Sequence, residues 1–70
     1  MVVIIRENDG TMHELKMKNG KWTLPYTPDR RVMRVMHSKD EFQEGDKVTV
    51  QYMTGKRCVR FMYGVVAKKM

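Results

Sequence analysis

The sequence predicts an all-β fold, a small antiparallel barrel of five to six strands. Apolar and polar residues alternate with period two along successive short segments, the pattern of half-buried strands. Turn signals containing glycine (Asn8-Asp9-Gly10, Asn19-Gly20, Gly45-Asp46 and Gly55) separate those segments at short intervals. A further glycine, Gly64, falls inside the last segment, where it marks a bulge or sharp bend of the kind small barrels use to turn a corner.

The elements follow in order. VVIIRE is a β-branched run that fits a strand buried on both faces. After the Asp9-Gly10 turn, TMHELKM places His13, Leu15 and Met17 on one face and Met12, Glu14 and Lys16 on the other. Past Asn19-Gly20, KWTLPY puts Trp22, Leu24 and Tyr26 together on the core side, so three strands and two tight turns make a meander. TPDRRVMRVMHS reads as a Pro28-Asp29 turn followed by a strand, although Val32 and Met36 break strict alternation with Met33 and Val35. The alternative is a short helix over 28–37, with Thr27 as N-cap and Pro28 in the first turn. The strand is favoured because every neighbouring segment is β.

KDEFQEGD is a polar connection anchored by Phe42. DKVTVQYM is a strand with Val48, Val50 and Tyr52 on its core face, and Met53-Thr54-Gly55-Lys56 turns the chain back. In RCVRFMYGVV, Val59, Phe61, Tyr63 and Val65 form one face, assigned to the core, and Cys58, Arg60 and Met62 form the other. Residues 67–70 read as a frayed tail. The run EGDKVTVQYMTGKRCVRFMYGVV, about a third of the chain, resembles the Gly-Asp-x-Val-x-Val opening and following hairpin of SH3-like and OB-like barrels. The resemblance implies a fold class and no particular activity, since such barrels host unrelated functions.

Seventy residues make one domain, too small for a deep active-site pocket beside a separate cofactor domain. No apolar run approaches the roughly 18 residues of a membrane span, and MVVII lacks the basic flank of a signal peptide. With a single cysteine, the chain forms no internal disulfide, which fits a reducing cytoplasm. A formal charge of +6 favours a polyanionic partner. Eight methionines are more than usual; most suit core filling and some an adaptable contact surface.

Catalytic signals are weak. Cys58 with His13 or His37 supplies a thiol and an imidazole but no recognisable catalytic context, and Cys58 reads as a small strand residue. The same three residues lack zinc-ligand spacing, and Asp40, Glu41, Glu44 and Asp46 lack the ligand order of a calcium loop. His13, alternating with apolar residues, is expected to be hydrogen-bonded at the edge of the core. No enzyme activity, cofactor or metal is therefore expected.

Charge segregation is the functional signal. Residues 40–46 carry four acids and no base, whereas six Lys or Arg and no acid follow Asp46. Arg30, Arg31 and Arg34 form one basic group, and Lys56, Arg57 and Arg60 on the last hairpin form another, with donors suited to phosphate. Aromatics, Trp22 and Tyr52 foremost with Tyr26 and Tyr63, would offer stacking surfaces if exposed, although all four fall on faces assigned to the core. Lys and Arg that merely guard β edges would explain part of this basicity, but not the absence of acids after Asp46. The expected function is a cytoplasmic nucleic-acid-binding module for RNA or single-stranded DNA. The alternative is a small inhibitor or adaptor, of a size that phages and mobile elements also encode, docking on an acidic protein surface. Homo-oligomerisation through sheet edges is compatible with either.

Overall fold

The computed structural model describes residues 1–55 and 57–70 and contains six strands: β1 (Val2–Glu7), β2 (Met12–Lys18), β3 (Lys21–Thr23), β4 (Arg30–Met36), β5 (Lys47–Thr54) and β6 (Cys58–Lys69). They form one antiparallel sheet in the order β3-β2-β1-β6-β5-β4. The two edge strands, β3 and β4, come together without pairing, which leaves a nearly closed barrel with one seam. The all-β fold class is as the sequence predicts, and among the described residues there is no helix.

Turn chemistry sets the meander. Asn19 and Gly20 have φ of 53° and 78°, the two-residue turn with both φ positive that matches strand twist. At the first turn, the Asp9 carboxylate accepts the backbone N–H of Thr11 at 2.9 Å, which holds its pKa below the usual carboxylate value. Val3, Ile5 and Leu15 point inward and are fully buried, while Val2 and Ile4 face outward and are only half-buried. β1 is thus buried chiefly on one face, not both, because no layer covers the barrel exterior among the described residues.

The segment over 28–37 is a strand, and the helical alternative does not form. Two turns precede it, closed by Thr27 N–H to Leu24 O at 3.1 Å and Arg30 N–H to Thr27 O at 2.9 Å, with Pro25 and Pro28 at their second positions. The broken alternation has a physical cause: register shifts between Val32 and Arg34, leaving Met33 unpaired as a bulge. Val32 and Val35 can then both pack on the core, opposite Tyr52 and Val50.

β6 departs most from expectation. Met62, at 1% exposure, is the inward residue, while Phe61 at 47% and Tyr63 at 62% face outward. Thr54 pairs with Cys58, so the connection spans 55–57 and Val50 lies opposite Met62. The turn expected from sequence, Met53-Thr54-Gly55-Lys56, would set Met53 opposite residue 56, whereas Met53 pairs with Val59, and a slip by an odd number of residues moves every side chain to the other face. β6 passes from β5 to β1 near Gly64, where an added Cβ would lie 2.6 Å from Ile5 Cγ2 and 2.7 Å from the Arg6 carbonyl oxygen. The register shift itself falls farther on, opposite Ile4 and Ile5, so Gly64 permits a close approach and is not the bulge. Residues 67–70 do not fray: β6 runs to Lys69, and Val2 and Met70 exchange two backbone hydrogen bonds.

The connection from β4 to β5 closes one end of the barrel. Phe42 is buried there, edge-on to Trp22 at 5.5 Å and stacked on His37 at 4.4 Å. Asp46 ties the loop together, accepting from the His37 ring at 2.9 Å, the Gln43 N–H at 3.0 Å and Lys39 Nζ at 3.2 Å. The His37 hydrogen bond, followed by those from Gln43 and Lys39, holds the Asp46 carboxyl below its ordinary range against the opposing effect of burial.

Candidate nucleic-acid interface

The seam between β3 and β4 is an open groove. Its main hollow, 620 Å³, has an apolar floor of Trp22, Leu24 and Val32. Lys16, Lys18 and Lys21 wall it from the β2–β3 hairpin, and Arg30 and Arg31 wall it from β4. An adjoining hollow of 440 Å³ shares Trp22 and Val32 and adds Met33 and Arg34. No described residue lining either hollow is acidic. Lys18 and Lys21 are direct cross-strand partners, an arrangement of like charges that weakens a hairpin. A bound polyanion would offset that cost.

The two basic groups singled out in the sequence meet around Tyr52. The Arg30 guanidinium lies 5.1 Å from the centre of the Tyr52 ring, and Arg60 is Tyr52's partner on β6. Tyr52 is buried beneath Arg30, so its ring is not a free stacking surface as expected; it orients the arginine instead. Arg31 lies along Met53, with Nη2 3.5 Å from the sulfur, on the outward face of the sheet, where Arg34 also sits opposite Gln51. Arg57 is exposed in the hairpin turn with φ of 63°. Lys56 lies outside the described residues.

Trp22 is half-buried, and its contact with Phe42 leaves it on the groove floor. Tyr26, assigned from sequence to the core, is 80% exposed because the chain turns at Pro25 before alternation can bring it inward. Lys16, Lys18 and Lys21 were not singled out by the sequence reading. The signal was present in KMKNGK, where Lys16 and Lys18 share a face and the turn brings Lys21 opposite Lys18. Phe61 and Tyr63 face outward, opposite to the core face that alternation predicts for them, because of the register set by the β5–β6 turn.

The ion pairs among the described residues are Glu7–His13 at 3.2 Å and those of Asp46 with His37 and Lys39; none involves the arginines that line the groove. The Glu7–His13 contact is off the line of a hydrogen bond, leaving His13 Nε2 buried without one, contrary to expectation. The two histidines engage these carboxylates and not Cys58, which is exposed. Among the described residues, no three His, Cys, Asp or Glu side chains converge as metal ligands would, and no helix is long and apolar enough to cross a membrane. No known family matches the chain, and no curated protein or solved structure matches it either.

Proposed function

We propose that this protein is a non-catalytic module that binds single-stranded nucleic acid, RNA or DNA, in the basic groove between β3 and β4. One observation carries the reading: Lys16, Lys18, Lys21, Arg30, Arg31 and Arg34 converge on a groove floored by Trp22 with no acid among its described lining. Lysines and arginines at the walls suit a sugar-phosphate backbone, and an apolar aromatic floor suits unpaired bases. Arg60 and Arg57 extend the basic rim past Tyr52 toward the hairpin tip.

The alternative is an inhibitor or adaptor docking on an acidic protein surface, and of its modes the seam disfavours one, the addition of a strand at a sheet edge. Strands in a sheet are spaced about 4.8 Å apart, so a third strand between two edges needs roughly 9.6 Å. The two edges of this sheet face one another, with Cα atoms of β3 and β4 within 8 Å where they are closest. An extended peptide, or the edge of a second copy, would have to force the barrel open. A polyanion read by side chains need not.

The test is a titration of mixed-sequence single-stranded RNA and DNA into the protein at low salt, followed by the emission of its one tryptophan. Binding in the groove is expected to change Trp22 fluorescence and to weaken steeply as salt rises. Absence of binding at low salt rejects the reading and turns attention to an acidic protein partner.

A further inference from the structure

We infer that the outward face of β4, β5 and β6 is a second contact for the same strand, an aromatic platform on which Phe61 and Tyr63 stack unpaired bases. The inference rests on the nucleic-acid reading above and adds a site to it. Cross-strand pairing places Arg31, Met53 and Val59 in one row, Arg34, Gln51 and Phe61 in the next, and Met36, Thr49 and Tyr63 in a third. Lys47 and Arg6 flank Val65 in the row beyond, from β5 and β1. None of these positions is acidic.

Phe61 and Tyr63 are the unusual members. Outward positions of a small barrel are ordinarily polar, yet both rings are about half exposed or more, with Val59 beside them at 45%. A contiguous apolar patch of this kind marks a contact surface. The rings are 6.2 Å apart with planes inclined by only 22°, and a hollow of about 310 Å³ lies beside Tyr63, lined also by Asn8, Lys47, Thr49 and Val65.

The surrounding charge selects the occupant. A second copy docking the same patch by a twofold axis would bring Arg31, Arg34 and Lys47 against their own like. A polyanion with flat apolar groups satisfies both features at once, because its phosphates meet the cations and its bases meet the rings. Stacking on either ring takes a base face that is free of its pairing partner, which an unpaired strand presents. Arg31 and Arg34 belong to the groove wall and to this face alike, which allows one strand to pass from Trp22 across β4 to Phe61 and Tyr63. A single strand, with its base faces free, fits this path better than a duplex, whose bases are stacked inside it.

The experiment compares the wild type with Phe61→Leu, Tyr63→Leu and the double variant, which keep an apolar surface but remove the aromatic faces. Each is titrated with a strand of roughly ten nucleotides, its duplex, and an abasic strand of equal length. Thermal melts establish that the variants remain folded. Each single variant is expected to bind the normal strand at least about fivefold more weakly, with an unchanged salt slope. The double variant should discriminate less between normal and abasic strands than the wild type does. Wild-type affinity in the leucine variants overturns the platform while leaving the groove reading intact, whereas equal wild-type affinity for strand and duplex overturns the platform together with the single-strand preference assigned to the groove. No binding of any strand by the wild type overturns both and leaves the aromatic face to a protein partner.

Discussion

Local charge in the groove, and not net charge, should set the salt dependence of binding, and two matched double variants separate these explanations. If Lys16, Lys18, Lys21, Arg30, Arg31 and Arg34 each neutralise one phosphate, log K for a single strand should fall with log salt at a slope of about −4, from roughly −0.7 per contact. Between roughly 50 and 200 mM salt such a slope weakens binding about 250-fold. Lys18→Gln with Lys21→Gln removes two wall contacts and should bring the slope to about −3, or roughly a 50-fold loss over the same range. Lys68→Gln with Lys69→Gln removes the same charge beside β1, remote in sheet order from the seam, and should leave the slope near its wild-type value. Fluorescence anisotropy of a labelled strand measures both. Equal slopes for the two double variants would refute the assignment of the contacts to the groove, whether both had changed or neither.

Three further outcomes test the fold that positions this surface. Met62→Ala should destabilise by about 2–5 kcal/mol because it empties a fully buried site, whereas exposed Phe61→Ala should cost under about 1 kcal/mol; urea melts showing the reverse order would refute the assigned register of β6. Gly64→Ala should cost about 1–3 kcal/mol, since one of the atoms it meets is a backbone oxygen that cannot rotate away, and a melting temperature within about 2 °C of wild type would contradict the close approach of β6 to β1. Asp46 has a folded pKa below its ordinary 3.8, so its stabilisation is present above that value and lost as pH falls through the lower one; Asp46→Asn should melt lower at neutral pH and lose less on acidification below about pH 4, and parallel pH profiles for variant and wild type would refute that role.

The local features of the fold were legible because they depend on local chemistry. Asn19-Gly20, Gly45 and the Val48–Val50–Tyr52 alternation each report a backbone or facial preference within a few residues. Strand extent was less legible: residues 67–70 continue β6 because Lys68 and Lys69 pair with Ile4 and Val3 and Met70 bonds to Val2, contacts between opposite ends of the chain. The sidedness of β6 was less legible still. Alternation identifies which residues share a face but not which face is inside, and that choice hung on whether the β5–β6 turn held two residues or three. The candidate site inherits the same limit. Arg30, Arg31 and Arg34 are visible as a charge run, but their meeting with Lys16, Lys18 and Lys21 arises from the barrel bringing its first hairpin round to β4. Periodicity carries no information about that encounter.

The seam follows from the sequence that ends β3. A closed barrel would require β3 to continue and pair with β4, yet Pro25, which has no N–H to donate, follows only two residues after the end of the strand. The two proline turns that follow carry the chain to Arg30 without extending the sheet, and the Met33 bulge removes one residue of β4 from the regular ladder. Both edges are therefore short or irregular where they meet, which also protects them from pairing with other chains. Leaving the barrel open exposes part of Trp22 and Val32 that closure would have buried, at some loss of stability in so small a domain. Under the proposed function, lysines and arginines on both lips would draw a charged polymer to that apolar floor while discouraging association between copies of a chain carrying +6. If the proposed function holds, replacing Pro25 and Pro28 by strand-forming residues should stabilise the barrel and weaken nucleic-acid binding together, and a melt paired with a binding titration of that variant checks both.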